Sequence, residues 1–261
     1  MNKFRAKKSF GQNFLINNTI TDKIISSVRV YPEDLIIEIG PGRGTLTKAL
    51  KSYNAYLLCY EIDKTLKNML DKLVDDKTKI IYGDFLKADV LRDIKGINYN
   101  NIYVIANIPY YITTPIIEKI ISLNVEEIVL MVQNEVADRI CAKPKSKAYG
   151  SLTVFLNYYY EIEKLFKVTR ENFKPMPNVD SAVISLKKRK KKYKVCNEEV
   201  FFELIKDAFK FKRKNIKNNL YNYELALIEE ILLENNLSLA SRAEEISIEV
   251  FISIANVLEN N

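Results

Sequence analysis

Histidine and tryptophan are absent from the 261 residues, and cysteine occurs only three times. Without imidazole there is no Ser–His or Cys–His nucleophile, no His-ligated metal and no histidine proton shuttle. Cys59, Cys141 and Cys196 are odd in number and far apart, which argues against a zinc site and for free thiols in a reducing compartment. No apolar run is long enough to span a bilayer, and nothing at the N-terminus reads as a signal peptide. The expected location is therefore the cytoplasm, or the interior of an organelle. Glycine is scarce too, at seven residues, and three of the seven sit together at positions 40, 42 and 44.

What is present is an ordinary apolar content of 48% and a net charge of +7. The length fits one large α/β domain with a smaller appendage. The positive balance points to a polyanionic partner, as a statement about attraction only.

The clustered glycines follow Leu35-Ile36-Ile37-Glu38-Ile39 and precede a helix-compatible segment from Thr45, which predicts a buried strand, a tight turn and a helix start. Glycine there admits positive φ and lets a ligand approach the main chain. The dinucleotide fingerprint spaces its glycines G-x-G-x-x-G over a pyrophosphate. Here the spacing is G-x-G-x-G with Glu38 just upstream, and a carboxylate repels phosphate but attracts an amine or a sulfonium. The pattern resembles motif I of Rossmann-like S-adenosylmethionine (AdoMet) methyltransferases; a nucleotide or flavin site and a purely structural turn stay open at this point. Methyl transfer from a sulfonium suits a chain without histidine, because the donor is already activated.

Taken in order, residues 1–14 interleave Lys3, Arg5, Lys7 and Lys8 with Phe4, Phe10 and Phe14. Gly11-Gln12-Asn13-Phe14-Leu15 then mixes amides with apolar anchors, which predicts an ordered lid or RNA-contacting arm. Thr19 to Val28 reads as an amphipathic helix. Strands are expected at 55–60, 79–82, 101–106, 125–132 and 181–186, with helical spacing over 66–74. Glu61 closes the second strand, where an acid can accept both hydroxyls of a ribose. Asp63 reads as a helix N-cap. Asp84 ends the third strand, placed either to accept from an adenine amino group or to shape the turn.

The most specific signal follows the fourth strand: Asn107-Ile108-Pro109-Tyr110. An exocyclic amine is a poor nucleophile because its lone pair is delocalised into the ring. Acceptors on its N–H groups would draw the nitrogen toward sp³ character, and the Asn107 side-chain oxygen and Ile108 carbonyl suit that task. Pro109 stiffens the turn and Tyr110 offers a stacking face.

Phe10-Gly11-Gln12-Asn13-Phe14-Leu15, Glu38 through Thr47, Gly83-Asp84, Asn107 through Pro115, Leu130 through Arg139 and Phe173 through Val183 together resemble the rRNA adenine dimethyltransferase family, and within it the KsgA-type small-subunit branch. The resemblance implies a Rossmann-like AdoMet-dependent catalytic domain over 1–188 and a small all-helical RNA-binding domain over 189–261. It implies AdoMet, leaving as S-adenosylhomocysteine, with no metal. Its cofactor contacts would be Gln12, Asn13, Leu15, Glu38, Gly40, Gly42, Glu61, Ile62, Asp84, Phe85 and Asn107. Its catalytic residues would be Asn107, Ile108, Pro109, Tyr110 and Phe173, the last stacking on a flipped adenine opposite Tyr110.

The implied reaction is dimethylation of two adjacent adenines near the 3′ end of small-subunit rRNA, late in subunit assembly. The partner would be rRNA within a pre-ribosomal particle, with no membrane and the protein a monomer. Lys187 through Lys194 is a dense basic run that reads as linker or as phosphate contact, and a second cluster follows at Lys206, Lys210, Lys212, Arg213, Lys214 and Lys217. The family's Arg-Arg-Lys segment stands here as Lys212-Arg213-Lys214, which keeps the charge but changes the geometry available to one contact. The rivals are the resistance branch acting on large-subunit rRNA and an assembly factor that does not need catalysis. Gly40-Pro41-Gly42, Val132 through Val136 and Val179 through Val183 favour the small-subunit branch over the first. The intact Asn107, Pro109 and Tyr110 argue against the second.

Overall fold

The computed structural model describes residues 12–259, so the expectations for Lys3, Phe4, Arg5, Lys7, Lys8, Phe10 and Gly11 lie outside the described residues. The described chain begins with a two-residue strand, β1 (Phe14–Leu15), and α1 (Asn18–Ser26). Asn17 caps α1 by accepting from the Thr19 N–H, and the helix buries Ile20, Thr21 and Ile24.

Strands and helices then alternate: β2 (Leu35–Ile39), α2 (Thr45–Leu50), β3 (Tyr56–Glu61), α3 (Lys67–Leu70), β4 (Thr78–Tyr82), α4 (Val90–Asp93), β5 (Ile102–Asn107), α5 (Thr113–Ile121) and β6 (Glu127–Gln133). β2 pairs in parallel with β3 and β5, β3 with β4, and β5 with β6. β2 and β5 read as near-continuous apolar runs because parallel strands are covered on both faces. The expected helical stretch at 66–74 holds only one α-turn, α3, between two 3-10 turns.

After α6 (Asn134–Ile140) and α7 (Ser151–Tyr159) come β7 (Tyr160–Val168), β8 (Phe173–Lys174) and β9 (Ser181–Lys188). β9 runs antiparallel to β6, and the seven-stranded sheet has the order β4-β3-β2-β5-β6-β9-β7. Sequence reasoning missed β7. It is an edge strand with half-exposed positions, so it carries no continuous apolar run. β8 lies apart from this sheet and pairs antiparallel with β1. The chain closes with α8 (Glu198–Ala208), α9 (Ile216–Asn219), α10 (Leu225–Glu234) and α11 (Ile248–Glu259).

Two compact units result, one of residues 1–137 and 163–188 and one of 138–162 and 189–261. Residues 138–162 belong to the second of these units, together with the chain after residue 188. The aromatic run on α7 gives the reason. Phe155 meets Phe202 at 5.1 Å between ring centroids and Tyr158 meets Phe201 at 5.2 Å, so α7 supplies core to α8. Phe251, Ile228 and Leu232 complete that second core. No helix among the described residues is long and apolar enough to cross a membrane.

Between β2 and α2, Gly44 takes φ +75°, and a Cβ there would lie 2.5 Å from Leu73 Cδ1. Gly44→Ala is expected to destabilise the first unit by about 1–2 kcal/mol, partly through backbone strain and partly through displacement of Leu73. Urea denaturation of the variant beside the parent measures it.

Candidate active site

The order of strands along the parallel part of the sheet reverses at β2: the chain moves outward through β3 and β4, then returns to β5 on the other side. A reversal of this kind leaves a crevice beyond the carboxyl ends of the central strands. A cleft lies there, and it collects residues from four sources: Gln12 to Leu15, Glu38 with the glycine turn at the end of β2, Glu61-Ile62 at the end of β3, and Asn107 to Tyr110 at the end of β5. A second cleft lies beside it at the end of β4, lined by Asp84 and Phe85, and shares Gly40, Ile62 and Pro109 with the first. Every predicted cofactor residue therefore faces one of two adjoining clefts.

Glu61 ties the turn together. It is 3% exposed; its Oε2 accepts from the Gly42 N–H at 2.9 Å and its Oε1 from the Asp63 N–H at 2.7 Å. Burial pushes its carboxyl above the ordinary range, and the two backbone N–H groups pull it partly back. Each oxygen keeps a second lone pair, so acceptance from a ribose is compatible with both bonds. Asp63 is the expected N-cap: its Oδ1 accepts from the Thr65 N–H, and its Oδ2 accepts from Gln12 Nε2 at 2.9 Å.

Glu38 is 1% exposed on the wall of the same cleft. Burial pushes its carboxyl up to about 7, offset in part by hydrogen bonds that include the Cys59 thiol at 3.5 Å. No lysine or arginine among the described residues pairs with Glu38 or Glu61. Two buried carboxylates without a cation fit a cationic small molecule and disfavour a pyrophosphate. That matches AdoMet, which carries an ammonium and a sulfonium. Among the described residues no group of three His, Cys, Asp or Glu is placed to hold a metal ion.

At Asp84, Oδ1 accepts from the Leu86 N–H at 3.0 Å, which shapes the turn, and the residue lines the second cleft. Lys119 braces this turn from α5. Its Nζ donates to the Leu86 and Ala88 carbonyls and lies 5.2 Å from the Phe85 ring centroid.

The Asn107 Nδ2 donates to the Asn13 carbonyl at 3.4 Å. That bond fixes the amide so that its oxygen remains the acceptor. Ile108, Pro109 and Tyr110 line the same cleft. Phe173 is not brought to it. The β1–β8 pairing sets Phe173 opposite Leu15 and turns the ring into the core, 3% exposed among residues such as Val168 and Val183. Tyr110 and Phe14 are the aromatic residues lining this cleft, and Phe173 is set in the core opposite Leu15, itself one of the lining residues.

Sequence reasoning passed over Arg43, whose guanidinium lies 5.0 Å from the Phe14 ring centroid on the cleft wall. Only the glycine at 42 signalled this contact. It has φ +58°, and a Cβ there would sit 2.9 Å from the Phe14 ring.

A raised carboxyl pKa has a definite stability signature. Between the ordinary value of 4.5 and about 7 the folded chain binds the Glu38 proton that the unfolded chain has lost, so stability falls as pH rises through that window and is level above it. Glu38→Gln removes the penalty. Its stability relative to the parent is expected to rise by on the order of 2–3 kcal/mol from pH 5 to pH 8, as urea titrations across that range would show.

Comparison with known proteins places this geometry. A model of the ribosomal RNA adenine dimethylase family matches residues 3–260. The chain is 43% identical over 264 residues to a protein of Clostridioides difficile named ribosomal RNA small subunit methyltransferase A, covering 98% of this chain and 91% of the relative. It is 45% identical over 265 residues to the protein of that name from Fusobacterium nucleatum, covering 98% of each. Among solved structures it resembles the 23S rRNA methyltransferase ErmE, with a TM-score of 0.76 and 25% identity over 95% of this chain and 100% of the other. A dimethyladenosine transferase from Plasmodium falciparum shares the fold, with a TM-score of 0.75 and 24% identity over 92% of this chain and 95% of the other. By sequence along nearly its whole length, and by a Rossmann-like fold with a helical C-terminal region, this chain belongs to the ribosomal RNA adenine dimethylase family.

Proposed function

We propose that this chain dimethylates the exocyclic amine of two adjacent adenines near the 3′ end of small-subunit rRNA, using AdoMet, within a pre-ribosomal particle in the cytoplasm and as a monomer. The observation that carries the reading is the joining, in one crevice, of the Asn107–Tyr110 turn with the buried carboxylates Glu38 and Glu61. When bound, AdoMet supplies a methyl group activated on sulfur. Glu38 and Glu61 would hold its cationic and ribose parts, and Asp84 and Phe85 its adenine. Asn107 Oδ1 and the Ile108 carbonyl would accept from the target amine, and Tyr110 would stack on the base. Rate enhancement then comes from positioning and exclusion of water, and no side chain acts as a general base.

Identities of 43% and 45% to proteins named for the small subunit, against 25% to one named for 23S rRNA, favour the small-subunit substrate over the resistance reaction. The deciding experiment is methyl incorporation from labelled AdoMet into small- and large-subunit particles lacking the modification, with the product mapped. Adjacent dimethyladenines near the small-subunit 3′ end are expected, and Asn107→Ala is expected to abolish them while leaving RNA binding largely intact. Label confined to the large subunit would overturn the assignment.

The second unit carries the proposed RNA contacts. Lys206, Lys210, Lys212, Arg213, Lys214 and Lys217 are all exposed. In the basic run, Arg189 is engaged: its Nε donates to the Asn157 carbonyl and its guanidinium lies 5.1 Å from the Tyr193 ring centroid. Lys190, Lys191 and Lys192 are exposed. Replacing these three by Gln is expected to reduce the slope of log affinity against log salt by about 2–3, as measured by filter binding at graded potassium chloride. An unchanged slope would leave the run as a linker.

A further inference from the structure

The hydroxyl of Ser181 has no role in the reading so far, yet it is bonded to the ring of the proposed acceptor turn. Ser181 is the first residue of β9, fully buried, and is followed by the buried apolar residues Ala182, Val183 and Ile184. A buried hydroxyl costs free energy unless it is hydrogen-bonded. Its partner is the Tyr110 hydroxyl at 2.7 Å.

Register explains the meeting. Asn107 of β5 pairs with Met131 of β6, so the chain leaving β5 through Ile108 and Pro109 rises level with Gln133, the end of β6. Gln133 is the residue that Ser181 faces across the antiparallel β6–β9 ladder. The start of β9 is itself fixed. The Asp180 carbonyl accepts from the Asn134 N–H at 3.0 Å, and its carboxylate accepts from the Arg170 N–H at 3.1 Å and pairs with Lys167 at 2.7 Å. At the other end of Tyr110, its carbonyl accepts from the buried Thr113 Oγ1 at 3.2 Å. The ring is thus held by its backbone on one side and by its hydroxyl on the other.

We propose that Ser181 is a positioning residue for methyl transfer, holding the Tyr110 ring, through the hydroxyl–hydroxyl bond, in the plane on which the target adenine stacks. The proposal rests on the methyltransferase reading above. A ring free to turn about its side-chain torsions would let the amine wander from the line of attack, and small misplacements are costly when positioning supplies the rate.

A double-mutant cycle on unmethylated small-subunit particles tests this. Ser181→Ala, Tyr110→Phe and the double variant are compared with wild type for kcat, KM for the particle and AdoMet affinity, with thermal unfolding of each as the folding control. Each single variant is expected to lower kcat on the order of tenfold, the worth of about one hydrogen bond. The double variant is expected to be no slower than either single, with KM and AdoMet affinity unchanged. Wild-type kcat in Ser181→Ala, or losses that multiply in the double variant, would overturn the proposal. If Ser181→Ala does not fold, Tyr110→Phe alone decides, since it removes only the hydroxyl of a residue outside the sheet, and wild-type kcat there is equally fatal. Active wild type with insensitive variants would sink this inference alone, whereas wild type inert on both subunits would sink the functional reading and this inference with it.

Discussion

How the chain leaves β2 constrains everything that lines the cleft. The turn must climb away from the sheet, open the crevice and start α2 within a few residues, which forces left-handed backbone at successive glycines. The turn is held by the Gly44 N–H donating to the Pro41 carbonyl, by the Gly40 N–H donating to the Tyr60 carbonyl, and by Glu61. One carboxylate accepts from the turn at Gly42 and from the end of β3 at Asp63, so the two strand ends move as one piece. Phe14 then seats against Gly42 and packs on Leu66 and Leu70. Asn13 to Leu15 are thereby fastened to the same piece. The Asn107 side chain reaches back to that segment of the arm through the Asn13 carbonyl. Cofactor wall, arm and acceptor turn are therefore linked by a chain of specific bonds, and no link in it is a long flexible loop.

The cost of this arrangement is electrostatic. Two carboxylates are removed from water without a counter-cation among the described residues, and their burial raises both pKa values and destabilises the folded chain at neutral pH. A protein selected for stability alone would place apolar residues there. Their retention makes sense if a cation arrives from outside, because the ligand then supplies the missing charge and its binding free energy offsets the desolvation already spent. Cys59 illustrates the contrast. It is equally buried beside Glu38, and burial together with the neighbouring carboxylate pushes its thiol well up, so it contributes packing and a weak hydrogen bond but no nucleophile.

Much of this was legible before any coordinates, for definite reasons. β2 and β5 were readable because parallel strands covered on both faces show as unbroken apolar runs, and the glycine turn because three of seven glycines fall within five residues. The Asn107–Tyr110 turn was readable because few chemistries need an amide, a carbonyl, a proline and an aromatic ring in that order. The burial of Phe173 was not legible, for an equally physical reason. A phenylalanine beside two prolines looks like a presented ring, but the side to which a two-residue strand turns its residues depends on its partner, and that partner, β1, is some 160 residues away. The Ser181–Tyr110 bond was invisible for the same cause, since it follows from the register between β5, β6 and β9. The membership of 138–162 in the second unit was hidden because aromatic residues at helical spacing do not say which neighbour they pack against.

The two kinds of charge in the chain obey opposite rules. Glu38 and Glu61 act at short range in a dry crevice, where one atom's displacement changes the interaction greatly. The exposed lysines of the second unit, on the proposed RNA contact, would act through screened fields, because neutralising phosphates releases counterions whatever the exact geometry. On the proposed RNA contact, Lys212-Arg213-Lys214 would serve where the family pattern has a second arginine. A point charge on a solvated phosphate contributes nearly as well as a guanidinium, and what is lost is the bidentate fork. Substitutions in the basic clusters should therefore grade smoothly with charge, while substitutions at Glu61 or Asn107 should act all at once, because each of these holds together groups from two different strand ends.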